Sequence, residues 1–412
     1  MKIKNRLIIA IAALQIGAFA TTAQINSPYS KFGYGLLNDN TTAAQSQMGG
    51  VGYALNSGRQ INVMNPASYA AADSLTFLFD MGLTFSTVKM EDTDGKSTQY
   101  GGGLDYLTMQ VPIGKRMGAS LGILPFSSVG YSFGNEIKNG LSSRQGSGGI
   151  HQLYLGYAAR LFKGFSLGAN FSYMFGTTVN DVYANTDGGS SSLFEQVMEV
   201  RDWRVQVGAQ YSVNLNADNR IGMGVVYSPG KTLLGNARVV KYDVEADEKP
   251  DTVATAKLRH NATLPDSWGA GLSYTWKRRL NVGVDFTYQP WAKAKTLQLD
   301  HFEGTRFADR WQVNVGGEYT HSVRGSYLSR ITYRAGGFFN HDYIMVGDNN
   351  VREYGVSFGF GLPALSSKTV INLGFEYRHR QAHPNPLLKE NYFNIRLGIN
   401  FNELWFFQNK IR

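Results

Sequence analysis

The chain contains no cysteine among its 412 residues. Disulfide staples, thiolate metal sites and a lipid anchor on a cysteine are thereby excluded. Long apolar runs are missing as well: beyond the extreme N-terminus nothing approaches the roughly 18 consecutive apolar positions that a membrane-crossing helix needs. Any membrane residence must therefore use strands. Histidine is sparse, at 7 residues, with no His-Glu-x-x-His or other compact ligand spacing. His379 and His383 stand close together, but a pair beside a loop is the pattern of solvated side chains, so no metal and no other cofactor is expected. Gly146–Gly149 precedes no strand-to-helix unit and reads as a loop tip, not a phosphate cradle. No serine is singled out as a nucleophile by its neighbours, which leaves no case for an enzyme. Positive charge is in excess, +9 overall, yet it forms no basic stripe of the kind that binds nucleic acid.

What is present is alternation. From Thr263 to Trp291, Ala270, Leu272, Tyr274 and Trp276 alternate with Gly271, Ser273 and Thr275. Leu280, Val282, Val284, Phe286 and Tyr288 then alternate with polar or small residues. A period of two marks strands with one apolar and one polar face, and the link Lys277-Arg278-Arg279 is short enough for a tight antiparallel hairpin. Similar alternation runs through Phe165–Phe175, Trp203–Val213, Val313–Tyr319, Ile331–Phe339, Ile371–Tyr377 and Phe393–Phe401. Opposite these apolar faces lie glycines and Asn170, Arg204, Gln206, Asp285, Glu318, Arg334, Glu376, Arg378 and Arg396. An apolar outside and a polar, glycine-rich inside suit a transmembrane barrel with a wet lumen.

The connections are regular too. Long polar stretches such as Gly134–Gly149, Asn180–Glu199 and Ala292–Ala308 alternate with short links such as Gly114–Arg116 and Lys163-Gly164. Counting through predicts an all-β antiparallel barrel of about fourteen strands, with short turns at the periplasmic end. This count makes Ile221–Asp243 and Val253–Trp276 long single strands; breaking them at Pro229 and Pro265 would give about sixteen. Trp203, Trp291 and Trp311 are expected in one aromatic girdle and Trp276 and Trp405 in the other, with Trp268 between them.

The N-terminus reads differently. Lys2, Lys4 and Arg6 precede an apolar run and the small residues Ala20-Thr21-Thr22-Ala23, which predicts a signal peptide over residues 1–23. Residues 24–72 are punctuated by glycine and proline and do not alternate, although Leu36, Leu37, Met48, Val51 and Met64 make them too apolar for disorder. They are expected to form a compact plug, with short helices near Ala43–Met48 and Pro66–Ala72, inside a barrel spanning residues 73–412.

These residues resemble a family, the FadL-type outer-membrane transporters of fatty acids and other hydrophobic compounds. The resemblance lies in Gly49-Gly50-Val51-Gly52 followed by Asn65-Pro66-Ala67, in Leu264-Pro265 before the Gly271–Tyr274 strand, and in Asp285-Phe286-Thr287-Tyr288 with Trp291. Gly316-Gly317-Glu318-Tyr319 and Tyr333-Arg334-Ala335-Gly336 extend it, and both ends of the chain look like those of Bacteroidetes members. The resemblance implies residence in the Gram-negative outer membrane, a luminal hatch ending at Asn65, Pro66 and Ala67, and sideways exit of ligand through a kinked third strand. Pro125 stands in that strand and cannot donate to a ladder, so it is the expected gate; an ordinary bulge is the alternative.

On this reading a hydrophobic small molecule moves passively between barrel and hatch into the outer-membrane lipid. Met48, Met64, Met174 and Phe338 are its expected apolar lining. Arg334 would meet a carboxylate head group, or else pair with Glu318 or Glu376. The second reading is a non-transporting barrel that docks against outer-membrane protein partners, since a fold does not fix a function. A continuous apolar tunnel to Pro125 would favour the first, and a filled lumen with a sealed third strand the second.

Overall fold

Where the sequence alternates, the chain pairs. The computed structural model describes residues 27–93, 95–137, 140–186, 192–243, 251–297, 306–322, 325–365 and 368–404. Fourteen of its strands form the barrel wall: β1 (Thr76–Glu91), β2 (Lys96–Pro112), β3 (Met117–Ile137), β4 (Gly140–Phe162), β5 (Phe165–Thr186), β6 (Ser192–Asn214), β7 (Asn219–Ser228), β8 (Ser267–Trp276), β9 (Leu280–Gln289), β10 (Arg310–Thr320), β11 (Thr332–Val346), β12 (Asn349–Pro363), β13 (Val370–His383) and β14 (Lys389–Leu404). Each pairs antiparallel with the next. The sheet closes when β14 returns to β1, with Lys389 opposite Glu91 and Leu404 opposite Thr76. Among the described residues the ladder of the fourteen strands is continuous around the wall apart from the seam described below, and such closure is what a strand-built membrane protein requires.

Each strand turns its apolar set outward. Leu155, Phe171, Val225, Leu272, Val284, Val315, Val356 and Ile395 are all exposed on the outer face. A one-residue slip would bury this belt and expose the polar set, so register is strongly specified. The hairpin Trp276–Leu280 closes tightly because Lys277 and Arg278 take positive φ, 50° and 54°, with the Arg279 N–H donating to the Trp276 carbonyl at 2.9 Å. The strand count of fourteen stands, but three details differ from expectation.

The two long strands are not continuous. β7 stops at Ser228, before Pro229, and β8 begins at Ser267. The chain between them forms a separate hairpin, Gly235–Asp243 with Asp251–Lys257, whose first arm continues the ladder along the upper part of β6. Secondly, Gly134–Gly149 and Asn180–Glu199 are largely not loops: β3 to β6 run on as paired strands to Ile137, Gly140, Thr186 and Ser192. Polarity there marks the exit from the apolar belt, not the end of pairing. Thirdly, Trp291 belongs to no lipid-facing girdle. It is 2% exposed, packed among Tyr34, Phe307 and Tyr343 at the long-loop end, with its ring 4.5 Å from that of Tyr343. Trp203, Trp268 and Trp276 do face outward. Trp405 and the expected signal peptide lie outside the described residues.

Candidate functional site

The N-terminal segment threads the barrel from one end to the other. At the long-loop end the Ser27 hydroxyl donates to Glu390 at 2.7 Å, and the Tyr29 hydroxyl accepts the Ala382 N–H at 3.0 Å. Midway, Ala43–Ser46 form one helical turn, and the Ala43 N–H donates to the Tyr106 hydroxyl at 2.8 Å. At the short-turn end Pro66–Ala71 form a 3-10 helix, and Arg160 donates to the Ala70 carbonyl at 3.0 Å. Chain order explains the path, because β1 starts five residues later at the same end.

Asn65, Pro66 and Ala67 shape that lower end. The Asn65 side chain accepts the Ala67 N–H at 3.1 Å, which caps the helix, and its amide donates to the Tyr53 carbonyl at 2.8 Å and the Ala209 carbonyl at 3.2 Å. Pro66 takes the first helical positions, where a missing N–H costs nothing. One side chain thus ties the hatch to itself and to the wall.

The luminal glycines have a different task from lining water. Positions 118, 168, 224, 316 and 336 lie under the hatch backbone, where a Cβ would collide with Tyr69, Pro66, Tyr53 and Met48, and position 208 lies under the Asn65 side chain. Wall and hatch therefore touch backbone to backbone, a close approach that only glycine permits. Polar groups fix the register of this contact. Asp285 accepts the backbone N–H of Gly52 at 2.6 Å and of Tyr53 at 2.8 Å. Arg310 donates to Asp39 at 2.6 Å and Gln312 donates to it at 3.2 Å, and Asn314 reaches the Gly49 carbonyl. Burial raises the Asp39 carboxyl, but the Arg310 guanidinium, with Arg378 and the Gln312 amide, outweighs it and holds Asp39 below its usual range.

The expected ligand-lining residues do not share one pocket. Arg334 is buried and consumed: it pairs with Glu318 at 3.1 Å and donates to Gln47 at 3.0 Å and Asn372 at 2.8 Å. Met48 presses against the wall at Gly316 and Gly336. Met174 is fully buried in the long-loop core with Ile150, Met198 and Leu233. Met64 lines a cavity of about 90 Å³ bounded by Asp39, Tyr53, Arg204, Gln206, Arg310 and Gln312. Phe338 lines an adjoining one of about 70 Å³, beside Arg378 and Glu376. Both are polar, and small beside the roughly 300–1,000 Å³ of ordinary ligand pockets.

Pro125 sits at a break in the wall. Ladder β2–β3 runs only from Pro112↔Gly118 to Leu107↔Ile123, whereas β1–β2 continues to Lys96 and β3–β4 to Gly140. A bulge interrupts β3–β4 between Pro125 and Ser127. From Phe126 to Gly130 the β2-facing edge of β3 is covered by the hatch. Leu36 and Leu37 pair with Ser128 and Ser127, the Ser27 N–H donates to the Gly130 carbonyl at 2.6 Å and the Asn38 N–H to the Phe126 carbonyl at 3.0 Å. Sequence reasoning found Pro125 but missed this cover, because a two-residue strand leaves no periodic signal. It also missed Asp285, Asp39 and Arg310 as clamps; a carboxylate on the inward face of β9 was the available hint.

Solved structures with this architecture include a Pseudomonas aeruginosa FadL homologue, 14% identical, with a TM-score of 0.63 over 89% of this chain and 99% of that one. The Pseudomonas putida toluene transporter TodX is 14% identical, with a TM-score of 0.58 over 90% and 100%. The Ralstonia pickettii toluene transporter TbuX is 14% identical, with a TM-score of 0.54 over 88% and 98%. At such identity the likeness is one of fold. No curated protein matches the sequence significantly. A family model described as BamG matches residues 2–412, and the chain belongs to the BamG family.

Proposed function

We propose that this chain is an outer-membrane barrel held shut by its own hatch, serving as a non-transporting subunit that docks with other outer-membrane proteins. The observation that carries the proposal is the filled middle of the lumen: the hatch is seated on glycines around the wall, clamped by Asp285, Asp39–Arg310 and Asn65, and leaves cavities of about 90 and 70 Å³ there, while a larger one of about 400 Å³ lies at the long-loop end among Lys31, Tyr34, Arg144 and Asn180. Passage would require many of these contacts to break together. Each buried hydrogen bond contributes about 0.5–1.5 kcal/mol net, and a stranded partner costs more. The hatch cover on β3 supports the same reading, because it occupies Phe126–Gly130 of the strand beside which a ligand would leave.

The second reading is passive uptake of long-chain fatty acids or other hydrophobic compounds, with the hatch as gate and exit beside Pro125. Two observations favour it: the fold shared with the toluene transporters, and the shortened β2–β3 ladder. In it Met64 and Phe338 would line the path once Leu36–Leu37 left β3. Flux of a fluorescent fatty acid and of toluene into liposomes carrying the purified protein separates the two. The first reading predicts flux no greater than in protein-free liposomes; flux that saturates and is lost when Leu37 is tethered to β3 supports the second.

A further inference from the structure

The outer wall is not uniformly convex. Across β4 to β9 two neighbouring rows of outward residues face the lipid. The registered partners of one are Tyr157, Ala169, Val207, Tyr227, Trp268 and Tyr288, and of the other Ala159, Leu167, Ala209, Val225, Ala270 and Phe286. At Ala159, Ala169, Ala209 and Ala270 the wall is one methyl deep, with Gly168, Gly208 and Gly269 beneath, while Tyr157, Leu167, Trp268 and Phe286 rise on either side. The result is an open, almost wholly apolar groove of about 810 Å³ on the lipid-facing surface. On β4 and β5 it begins only a few residues from the Lys163-Gly164 turn; from there it climbs to Trp268 and Tyr288.

Its lower end meets charge. Lys115 and Arg116 in the β2–β3 turn and Lys163 in the β4–β5 turn are exposed. The Arg116 carbonyl accepts the N–H of Arg160, the residue after Ala159, at 2.7 Å, so the cationic turn adjoins the groove. Among the described residues none of the three makes an ion pair; the nearby acid Asp218 lies 3.9 Å from Lys277. The Phe162 and Phe165 rings, stacked 4.8 Å apart, mark the interface level between groove and charge.

We infer that this groove is a binding site for a membrane phospholipid with a net negative head group. One acyl chain lies along Ala159, Ala169, Ala209 and Ala270, and the phosphate rests on Lys115, Arg116 and Lys163. Apolar depth and cationic rim are complementary to such a lipid in both chemistry and order along the membrane normal, and basic side chains at the membrane surface attract anionic lipid. A partner barrel pressed into the groove would meet the same apolar wall but would need carboxylates of its own at the level of the three cations, whereas an anionic lipid brings chain and charge together. The inference rests on the membrane placement of the barrel and is independent of the choice between the two functions above.

The test uses the full protein in micelles containing equal phosphatidylglycerol and phosphatidylethanolamine, read by native mass spectrometry. Phosphatidylglycerol should be retained preferentially, and its occupancy should fall at least about tenfold in the K115Q/R116Q/K163Q variant. It should fall as well in A169F/A209F, which fills the groove without touching charge, and remain unchanged in R330Q/K368Q, which removes cations elsewhere on the same rim. Equal loss in both charge variants, or retention without head-group preference, overturns the site. A second protein chain that photocrosslinks to position 209 and excludes lipid overturns it too.

Discussion

Asp285, inside the wall on β9, accepts the backbone N–H of Tyr53 on the hatch at 2.8 Å. The same oxygen takes the Gly52 N–H at 2.6 Å, so one carboxylate holds two successive peptide groups in the middle of the lumen. Asp285→Ala should free this part of the hatch while leaving the barrel closed, at a local cost of about 1–3 kcal/mol for two stranded buried donors. Amide exchange at residues 52 and 53 should accelerate, with β9 and β10 still protected. Unchanged exchange would mean that the glycine seat alone fixes the hatch.

Asp39 and Arg310 form the upper clamp, and its pH dependence has a definite sign. Because the folded Asp39 carboxyl lies below its usual range, its contribution is complete above the ordinary carboxylate value and is lost as pH falls through the lowered folded value. Protection of residues 36–42 should therefore hold from neutral pH down past the usual carboxylate range and fail below it. In Asp39→Asn the protection should be weaker at neutral pH and this acid step absent.

Gly224 lies under the Tyr53 carbonyl with no room for a Cβ. Gly224→Val should unseat the hatch at an overpacking cost of about 1–3 kcal/mol, raising cleavage of residues 50–60 by added protease. The outward neighbour Met223→Val, on the lipid face, should leave cleavage at the wild-type level.

Much of this was legible in the sequence and some was not, for physical reasons. Alternation from Ala270 to Trp276 declares which face meets lipid, and closure of fourteen strands follows from such segments and their turns. Strand ends were harder, since the polar residues beyond the apolar belt at Gly134–Gly149 pair just as well as those within it. Trp291 was misplaced because a tryptophan after a strand suits a girdle and a loop-end core equally. The inward glycines were assigned to a wet lumen; their crowding by Tyr53 and Met48 depends on contacts well over a hundred residues apart in sequence. The expected ligand residues Met48, Met64, Met174, Arg334 and Phe338 were chosen by type and face, and nothing local told which would be consumed by neighbours, as Arg334 is by Glu318.

The seam beside Pro125 can be locked without altering the wall. Leu37 is registered with Ser127, and the chain has no cysteine of its own, so Leu37→Cys with Ser127→Cys should give a single internal disulfide if the cover is stably paired. The non-transporting account predicts that the oxidised protein keeps its partners and its stability. Loss of both on oxidation, with recovery on reduction, would show that the cover must move.

The measurement that tests the central claim most directly is native mass spectrometry of the protein extracted gently from its own outer membrane. The account predicts a hatch-filled barrel that carries no small hydrophobic molecule and is held in fixed stoichiometry by other outer-membrane proteins. A lone barrel carrying a hydrophobic molecule, displaced when Gly224 or Pro125 is changed, would contradict it and establish the transport reading.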